Sequence, residues 1–305
     1  MTLASHPVHW HILGAGAIGS LWSARWHQQG VNTTAICRQL NSEALSLDFF
    51  AADAHFSFQT PRLIATELQP PIHHLLITTK AQQCLAAFAS VAPLLSEQAV
   101  IIVLQNGMAV KSLTPQRQQR LYAATTTDGA HFSDPHTLRH VGQGETHIGP
   151  INTAAEQYPA AQLLTLLPRS LRIHFSLDIE QQLWRKLAIN CAINALGVKY
   201  QCRNGELISR EPIRQELIDL CREITTVAKA QGLGPWFDTL YEEVAAVAAL
   251  TGDNINSTLQ DIKRGKATEI SALNGYLCDV AKKLNIATPL NQALVQLVLA
   301  KAGQS

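Results

Sequence analysis

The sequence predicts an α/β protein: a parallel sheet covered by helices over residues 1–177, then an all-α domain over residues 178–305. Three observations carry this. The first half alternates short apolar or β-branched runs with helical stretches, the rhythm of βαβ units. A glycine triplet in "GAGAIG" (Gly14, Gly16, Gly19) falls between the first such run and the first helix. Past a boundary near residues 176–180, helical periodicity takes over and strand signals nearly vanish.

Each element can be justified in order. "VHWHIL" (8–13) reads as a strand, and "AIGSLWSARWHQQ" (17–29) as a helix ended by Gly30. "VNTTAIC" (31–37) is β-branched and strand-like. "HHLLITT" (73–79) is a buried strand, "AQQCLAAFASVAPLL" (81–95) a helix, and "AVIIVL" (99–104) a further strand. "HFSFQ" (55–59) and "ETHIGP" (145–150) look like strands near the sheet's edge. Helical patterns then cover 179–200, 210–231, 236–250, 255–263, 268–284 and 290–302, with "GLGPW" (232–236) a turn between two of them.

Composition bounds the function. Hydrophobic residues make up 47% and charged residues 15%, and the formal net charge is +1. No basic block suggests a nucleic-acid partner, and no apolar run is long enough to span a bilayer. The start "MTLASHPVHW" lacks the features of a signal peptide. Six cysteines form no CxxC pair, and five or more of them read as small core hydrophobes. A reduced cytoplasmic setting is the expectation. The twelve histidines include no HExxH motif, so no metal site is expected.

The glycine motif is weak alone, but here it follows a strand and opens a helix. That context makes Gly14–Ala15–Gly16–Ala17–Ile18–Gly19 a dinucleotide-binding loop of the Rossmann type. Gly14 permits the tight turn, Gly16 lets a pyrophosphate approach the backbone, and Gly19 lets helix and strand pack. The helix N-terminus adds free N–H groups. An NAD site usually carries an acid after the second strand, yet no Asp or Glu precedes Glu43. Arg38 stands there instead, suited to a 2′-phosphate, so NADP is the expected cofactor. Lys80 and Asn106 each follow a buried strand, where ligands of such sheets bind.

The stretch "WRKLAINCAIN" (184–194) is an apolar helix that carries Lys186, Asn190 and Asn194 at i, i+4 and i+8. That spacing stacks them on one face. Buried polar groups without partners cost roughly 2–7 kcal/mol, so the stripe needs side-chain partners or a ligand. On pattern alone both readings stand. Lys186 suits either a proton donor or a stem snorkelling to solvent. The two Asn suit substrate contacts or helix linking. Ser257 offers a hydroxyl or an N-cap, with Asn254 about one helical turn earlier. Glu269 suits a site carboxylate or a first-turn helix acid.

The motifs "GAGAIG", "TTKAQQ", "QNGM", "QLWRKLAINCAIN", "NGEL" and "DIKRGKATEISALNGYL" occur in this order. With them the chain resembles the ketopantoate reductases (2-dehydropantoate 2-reductases) over essentially its whole length. The resemblance implies a Rossmann domain and a helical domain with the active site between them. It also implies NADPH-dependent reduction of 2-dehydropantoate to pantoate, a step toward pantothenate and coenzyme A. By the same resemblance Lys186 and Glu269 are the catalytic pair. Asn106 is the cleft asparagine, expected to face both substrate and cofactor; Asn190, Asn194 and Ser257 contact substrate, and Gly14, Gly16, Gly19, Arg38, Lys80 and Gln83 lie on the cofactor side.

Two competing readings remain open at this level. One is an NADPH-dependent reductase of another 2-oxo acid, since fold does not fix substrate. The other is a non-catalytic NADPH-binding regulator, which gives no reason for the Lys–Asn–Asn stripe. Oligomeric state is not legible. The apolar face of 236–250 fits burial within the chain or against a second copy, as in a homodimer.

Overall fold

The computed structural model describes residues 8–39 and 44–303. They divide into two units. Unit 1 runs to Gln105 and resumes over Ala109–Ile179; unit 2 comprises Asn106–Met108 and the chain from Glu180 onward.

Unit 1 holds strands β1 (His9–Leu13), β2 (Asn32–Cys37), β3 (Ala44–Ala51), β4 (Ala54–Ile64), β5 (Ile72–Ile77), β6 (Leu95–Leu104), β7 (Arg120–Thr126), β8 (Gly129–Asp134), β9 (Thr137–Gly142), β10 (Thr146–Pro150) and β11 (Ile173–Phe175). Its helices are α1 (Ala17–His27), α2 (Cys84–Val91), α3 (Thr153–Glu156) and α4 (Ala160–Thr165). The strands form one sheet in the order β11-β10-β7-β6-β5-β1-β2-β4-β3-β9-β8. The stretch from β7 through β4 is parallel throughout. Its central strands are buried on both faces, as parallel sheets require: Leu75, Leu76, Ile77, Ile101 and Ile102 are inaccessible to solvent.

Helix α1 is buried from Gly19 through Trp26. Trp10 of β1 stacks on Trp26 at 4.6 Å between ring centroids. Both indole N–H groups donate to the Leu166 carbonyl, at 3.1 and 2.9 Å. Arg25 is fully buried on α1 and pairs with both Asp53 carboxylate oxygens at 2.8 and 2.7 Å. It also donates to His140 Nδ1 at 3.0 Å. That bond requires an unprotonated Nδ1, so His140 uses Nε2–H toward Asp128, 2.8 Å away.

Several elements depart from the sequence expectation. β3, β7, β8, β9 and β11 were not anticipated. Leu121 through Thr126 of β7 are buried without alternation, so no period of two marks it. β8 and β9 mix polar residues with Phe132, Leu138 and Val141 and pair through two register shifts, and β9 also pairs with β3, so their partners as much as their own pattern define them. The helix expected over 81–95 is a 3-10 turn (Ala81–Gln83), then α2, then a second 3-10 turn (Ala92–Leu94) containing Pro93; Leu95 already belongs to β6.

Unit 2 is helical: α5 (Ile179–Tyr200), α6 (Glu206–Ser209), α7 (Ile213–Ala230), α8 (Leu240–Leu250), α9 (Ser257–Lys263), α10 (Asn274–Lys283) and α11 (Pro289–Ala302). Helix α7 buries Ile213, Leu217, Leu220, Cys221, Ile224, Val227 and Ala228, a single stripe at helical spacing. The run 236–250 is a 3-10 turn (Pro235–Thr239) followed by α8, which buries Leu240, Val244 and Ala248. The run 268–284 is a 3-10 turn (Ile270–Ala272) broken at Leu273 before α10. Among the described residues no strand follows β11, and no helix is long and apolar enough to cross a membrane.

The cysteine expectation needs a correction. Cys84, Cys191, Cys202 and Cys221 are buried, but Cys37 and Cys278 are half-exposed, so four of the six are core residues. Burial pushes the Cys84 thiol up to about 11 and that of Cys221 up to about 12. Neither is a thiolate nucleophile at neutral pH.

Candidate active site

The glycine loop of unit 1 assigns three different tasks to its glycines. Gly14 has φ +107°, and a Cβ there would lie 2.7 Å from the Thr79 backbone nitrogen. Thr78, just past β5, donates from Oγ1 to the Gly14 carbonyl at 2.5 Å and holds the turn. Gly19 faces the same threonine: a Cβ would sit 2.5 Å from Thr78 Oγ1. Gly16 is the reverse case. It is exposed, caps the N-terminus of α1, and a Cβ there would meet nothing within 4 Å. An open backbone at a helix N-terminus, between two glycines that hold the turn shut, fits a pyrophosphate.

Around this loop stand the other expected cofactor-side residues. Arg38 follows the end of β2 and is exposed. Arg62 of β4, not anticipated from sequence, donates from Nε to Cys37 Sγ at 3.3 Å, bringing a second guanidinium to that strand end. Lys80 precedes the 3-10 turn after β5, and its carbonyl accepts from the Gln83 N–H at 2.8 Å; both residues are half-buried. Gln105, also missed, donates from Nε2 to the Thr79 carbonyl at 2.6 Å and to Thr79 Oγ1 at 3.0 Å, pinning the ends of β5 and β6 together. The signal available was its place in "QNGM", directly after a buried strand.

Unit 2 holds the remaining expected site residues, three of them on a single helix. Lys186, Asn190 and Asn194 lie along α5; Lys186 and Asn190 are half-buried and Asn194 is 5% exposed. Asn106 and Glu269, 163 residues apart in sequence, meet directly: Asn106 Nδ2 donates to Glu269 Oε2 at 3.0 Å. The adjoining Gly107 has φ +84°, and a Cβ there would lie 2.6 Å from the Ala272 carbonyl oxygen. The short segment carrying Asn106 is therefore seated against the turn that carries Glu269.

One placement is corrected and two structural alternatives fall away. Asn254 is not on a helix: α9 begins at Ser257, and Asn254 ends the preceding turn, its N–H donating to the Thr251 carbonyl at 2.8 Å. The N-cap of α9 is Asn256, whose side chain accepts from the Leu259 N–H at 3.0 Å, so exposed Ser257 has no capping task. Glu269 is not a first-turn helix acid; it precedes a 3-10 turn, and α10 starts five residues later.

A parallel sheet with a glycine-loop dinucleotide site, joined to a helical unit bearing a lysine–amide stripe and a tethered carboxylate, defines a dinucleotide-dependent oxidoreductase. The chain belongs to the ketopantoate reductase family. The family model for ketopantoate reductase PanE/ApbA matches residues 10–153, and the model for its C-terminal region matches residues 178–302. The 2-dehydropantoate 2-reductase of Vibrio cholerae serotype O1 is 33% identical over 293 residues, covering 94% of this chain and 95% of that protein. The enzyme of the same name from Escherichia coli O157:H7 is 33% identical over 299 residues, covering 96% and 95%. Among solved structures, a PanE/ApbA family ketopantoate reductase from Ralstonia eutropha JMP134 superposes with a TM-score of 0.82 at 26% identity, covering 97% of this chain and 99% of that one. D-mandelate dehydrogenase, solved with NADH and anilino(oxo)acetate, shares the fold at a TM-score of 0.86 and 23% identity over the same shares.

Proposed function

We propose that this protein reduces 2-dehydropantoate to pantoate with NADPH, using a cofactor-binding domain over residues 1–177 and a helical domain over residues 178–305 that binds and protonates the substrate. The observation that carries the reading is the Lys186–Asn190–Asn194 stripe of α5, in the same unit as the Asn106–Glu269 hydrogen bond. Bound NADPH supplies a hydride to the ketone carbon; the rest falls to the chain. As the carbonyl oxygen gains negative charge, the Lys186 ammonium stabilises it and donates the proton that completes the alcohol. Asn190 and Asn194 offer amide donors and acceptors to the substrate's hydroxyl and carboxylate. Exposed Ser257 offers a hydroxyl to the carboxylate, and Asn254 is its neighbour in the preceding turn. Glu269, oriented by Asn106, accepts the hydrogen bond of the substrate hydroxyl.

The preference for NADPH over NADH rests on Arg38, with Arg62 adding positive charge at the same strand end, and on the lack of an acid at that point. A dehydrogenase of mandelate shares the fold, so fold alone does not choose the 2-oxo acid. The test is a turnover assay with 2-dehydropantoate and a panel of other 2-oxo acids, with NADPH and NADH in parallel. 2-Dehydropantoate with NADPH gives the highest kcat/KM; a clear preference for another acid displaces the substrate assignment. Lys186→Ala binds NADPH normally and loses roughly 10²- to 10⁴-fold in kcat. Normal turnover by that variant refutes the proton-donor role.

A further inference from the structure

We propose that Asn274 is a positioning residue for this reaction: it fixes the distance between the Glu269 turn and the Lys186–Asn190–Asn194 face of α5. Asn274 is fully buried at the first position of α10. Its Nδ2 donates both hydrogens, one to the Cys191 carbonyl of α5 at 3.0 Å and one to Asn291 Oδ1 of α11 at 2.9 Å. Cys191 immediately follows Asn190. A helix carbonyl has a second lone pair beyond its i+4 bond, so this tie forms without breaking the helix.

The other end of the tie is equally short. From Asn274 back to Glu269 the chain is a 3-10 turn, closed by Ala272 N–H and Leu273 N–H, both donating to the Glu269 carbonyl at 2.9 and 3.1 Å. Little slack exists between the amide that grips α5 and the residue that carries the carboxylate. Asn291 is in turn held by Glu223 of α7. That carboxylate accepts from Leu290 N–H at 2.8 Å, Asn291 N–H at 3.1 Å and Asn291 Nδ2 at 2.9 Å. Asn291 therefore presents its oxygen, not its nitrogen, to Asn274. A second contact between α5 and α10, Trp184 against Tyr276 at 5.8 Å between ring centroids, keeps them in register. Asn274 Oδ1 itself has no hydrogen-bond partner.

The inference rests on Lys186 and Glu269 acting as proposed above. The test compares wild type, Asn274→Leu/Asn291→Leu, Glu269→Gln and the triple combination. Replacing both amides together leaves no stripped partner between them. Each is assayed with the 2-oxo acid that wild type reduces best, so a wrong substrate assignment is exposed by wild type alone and leaves the comparison intact. Rates are expressed per NADPH-binding site by titration, which removes any misfolded fraction. The amide-free variant is expected to keep its NADPH affinity, to raise KM for the oxo acid several-fold, and to lose about 10- to 100-fold in kcat/KM, the scale of a misplacement near 1 Å. Combined with Glu269→Gln it should lose much less than the product of the two effects. A kcat/KM per site within threefold of wild type, or losses that multiply fully, overturns the proposal. Should the double variant not fold, Asn274→Ser, which keeps one donor, is judged by the same two criteria.

Discussion

Alanine at Gly14 and at Gly16, two residues apart in one motif, should have opposite effects. Gly16 has φ −78° and ψ −172°, a conformation open to any residue, and open space where a methyl would go. Alanine there is a slightly poorer N-cap than glycine but lowers the entropy of the unfolded chain by a comparable amount, about 0.4–1 kcal/mol. Net stability should move by under about 1 kcal/mol, or within roughly 3 °C in Tm. The same methyl occupies the place from which a pyrophosphate reaches the backbone N–H groups. Losing one hydrogen bond to a charged group costs about 1.5–3 kcal/mol, which weakens NADPH binding roughly 10- to 150-fold. At Gly14 the positive φ costs alanine roughly 1–2 kcal/mol. Its Cβ, 2.7 Å from backbone that cannot rotate away, adds about 1–3 kcal/mol of overpacking. Tm should fall by roughly 5–15 °C. Thermal unfolding and NADPH titration of both variants check this. A Gly16→Ala protein that binds NADPH like wild type would remove the pyrophosphate from this loop, and a neutral Gly14→Ala would sink the steric account.

Arg38→Ala should weaken NADPH by about 10- to 100-fold while leaving NADH nearly untouched, because only the 2′-phosphate loses a charged partner; equal losses in the two titrations would mean Arg38 does not read that group. Asn106→Asp sets two carboxylates about 3.0 Å apart. Like charges so close force one to hold a proton, so kcat/KM should fall at pH 8 and recover in part toward pH 5–6, and a profile parallel to wild type would contradict the pairing with Glu269. His11, depressed to about 4 by burial and by the neighbouring His9 and His74, makes stability acid-sensitive. The folded state refuses a proton that the unfolded chain accepts near 6.5, so this contribution is complete above about pH 6.5 and is lost as pH falls toward 4. With discount for its partial exposure it amounts to about 1–2 kcal/mol. His11→Gln should flatten the fall in Tm across that window, and an unchanged slope would locate the sensitivity elsewhere.

What the sequence could announce was whatever one segment decides for itself. "HHLLITT" and "AVIIVL" are apolar enough to be strands in any company, and the spacing of Lys186, Asn190 and Asn194 exists before any packing does. β8 and β9 owe their form to pairing with each other and with β3, which no local pattern records. The cap of α9 shows how fine the limit is: Ser257 and Asn256 are both good capping residues, and only the backbone turn at Asn256 chooses between them. The bond from Asn274 to the Cys191 carbonyl spans 83 residues. In the sequence Asn274 is only one polar residue inside the helical run 268–284. The family resemblance supplied roles for Lys186 and Glu269; it assigned none to Gln105, Asn274, Asn291 or Glu223, whose work is to hold other residues still.

The segment Asn106–Met108 has a consequence for how this protein can be cut. The chain leaves unit 1 after Gln105, contributes three residues to unit 2, goes back, and returns for good at Glu180. The helical unit is thus not one continuous stretch of the polypeptide. A recombinant fragment beginning at residue 180 would contain Glu269 but not the amide that orients it, and would expose the Ala272 carbonyl against which Gly107 is seated. Supplying the missing piece as a short peptide spanning 104–110, or splicing it onto the fragment, would be a way to ask how much of the carboxylate's orientation three residues from another part of the gene provide.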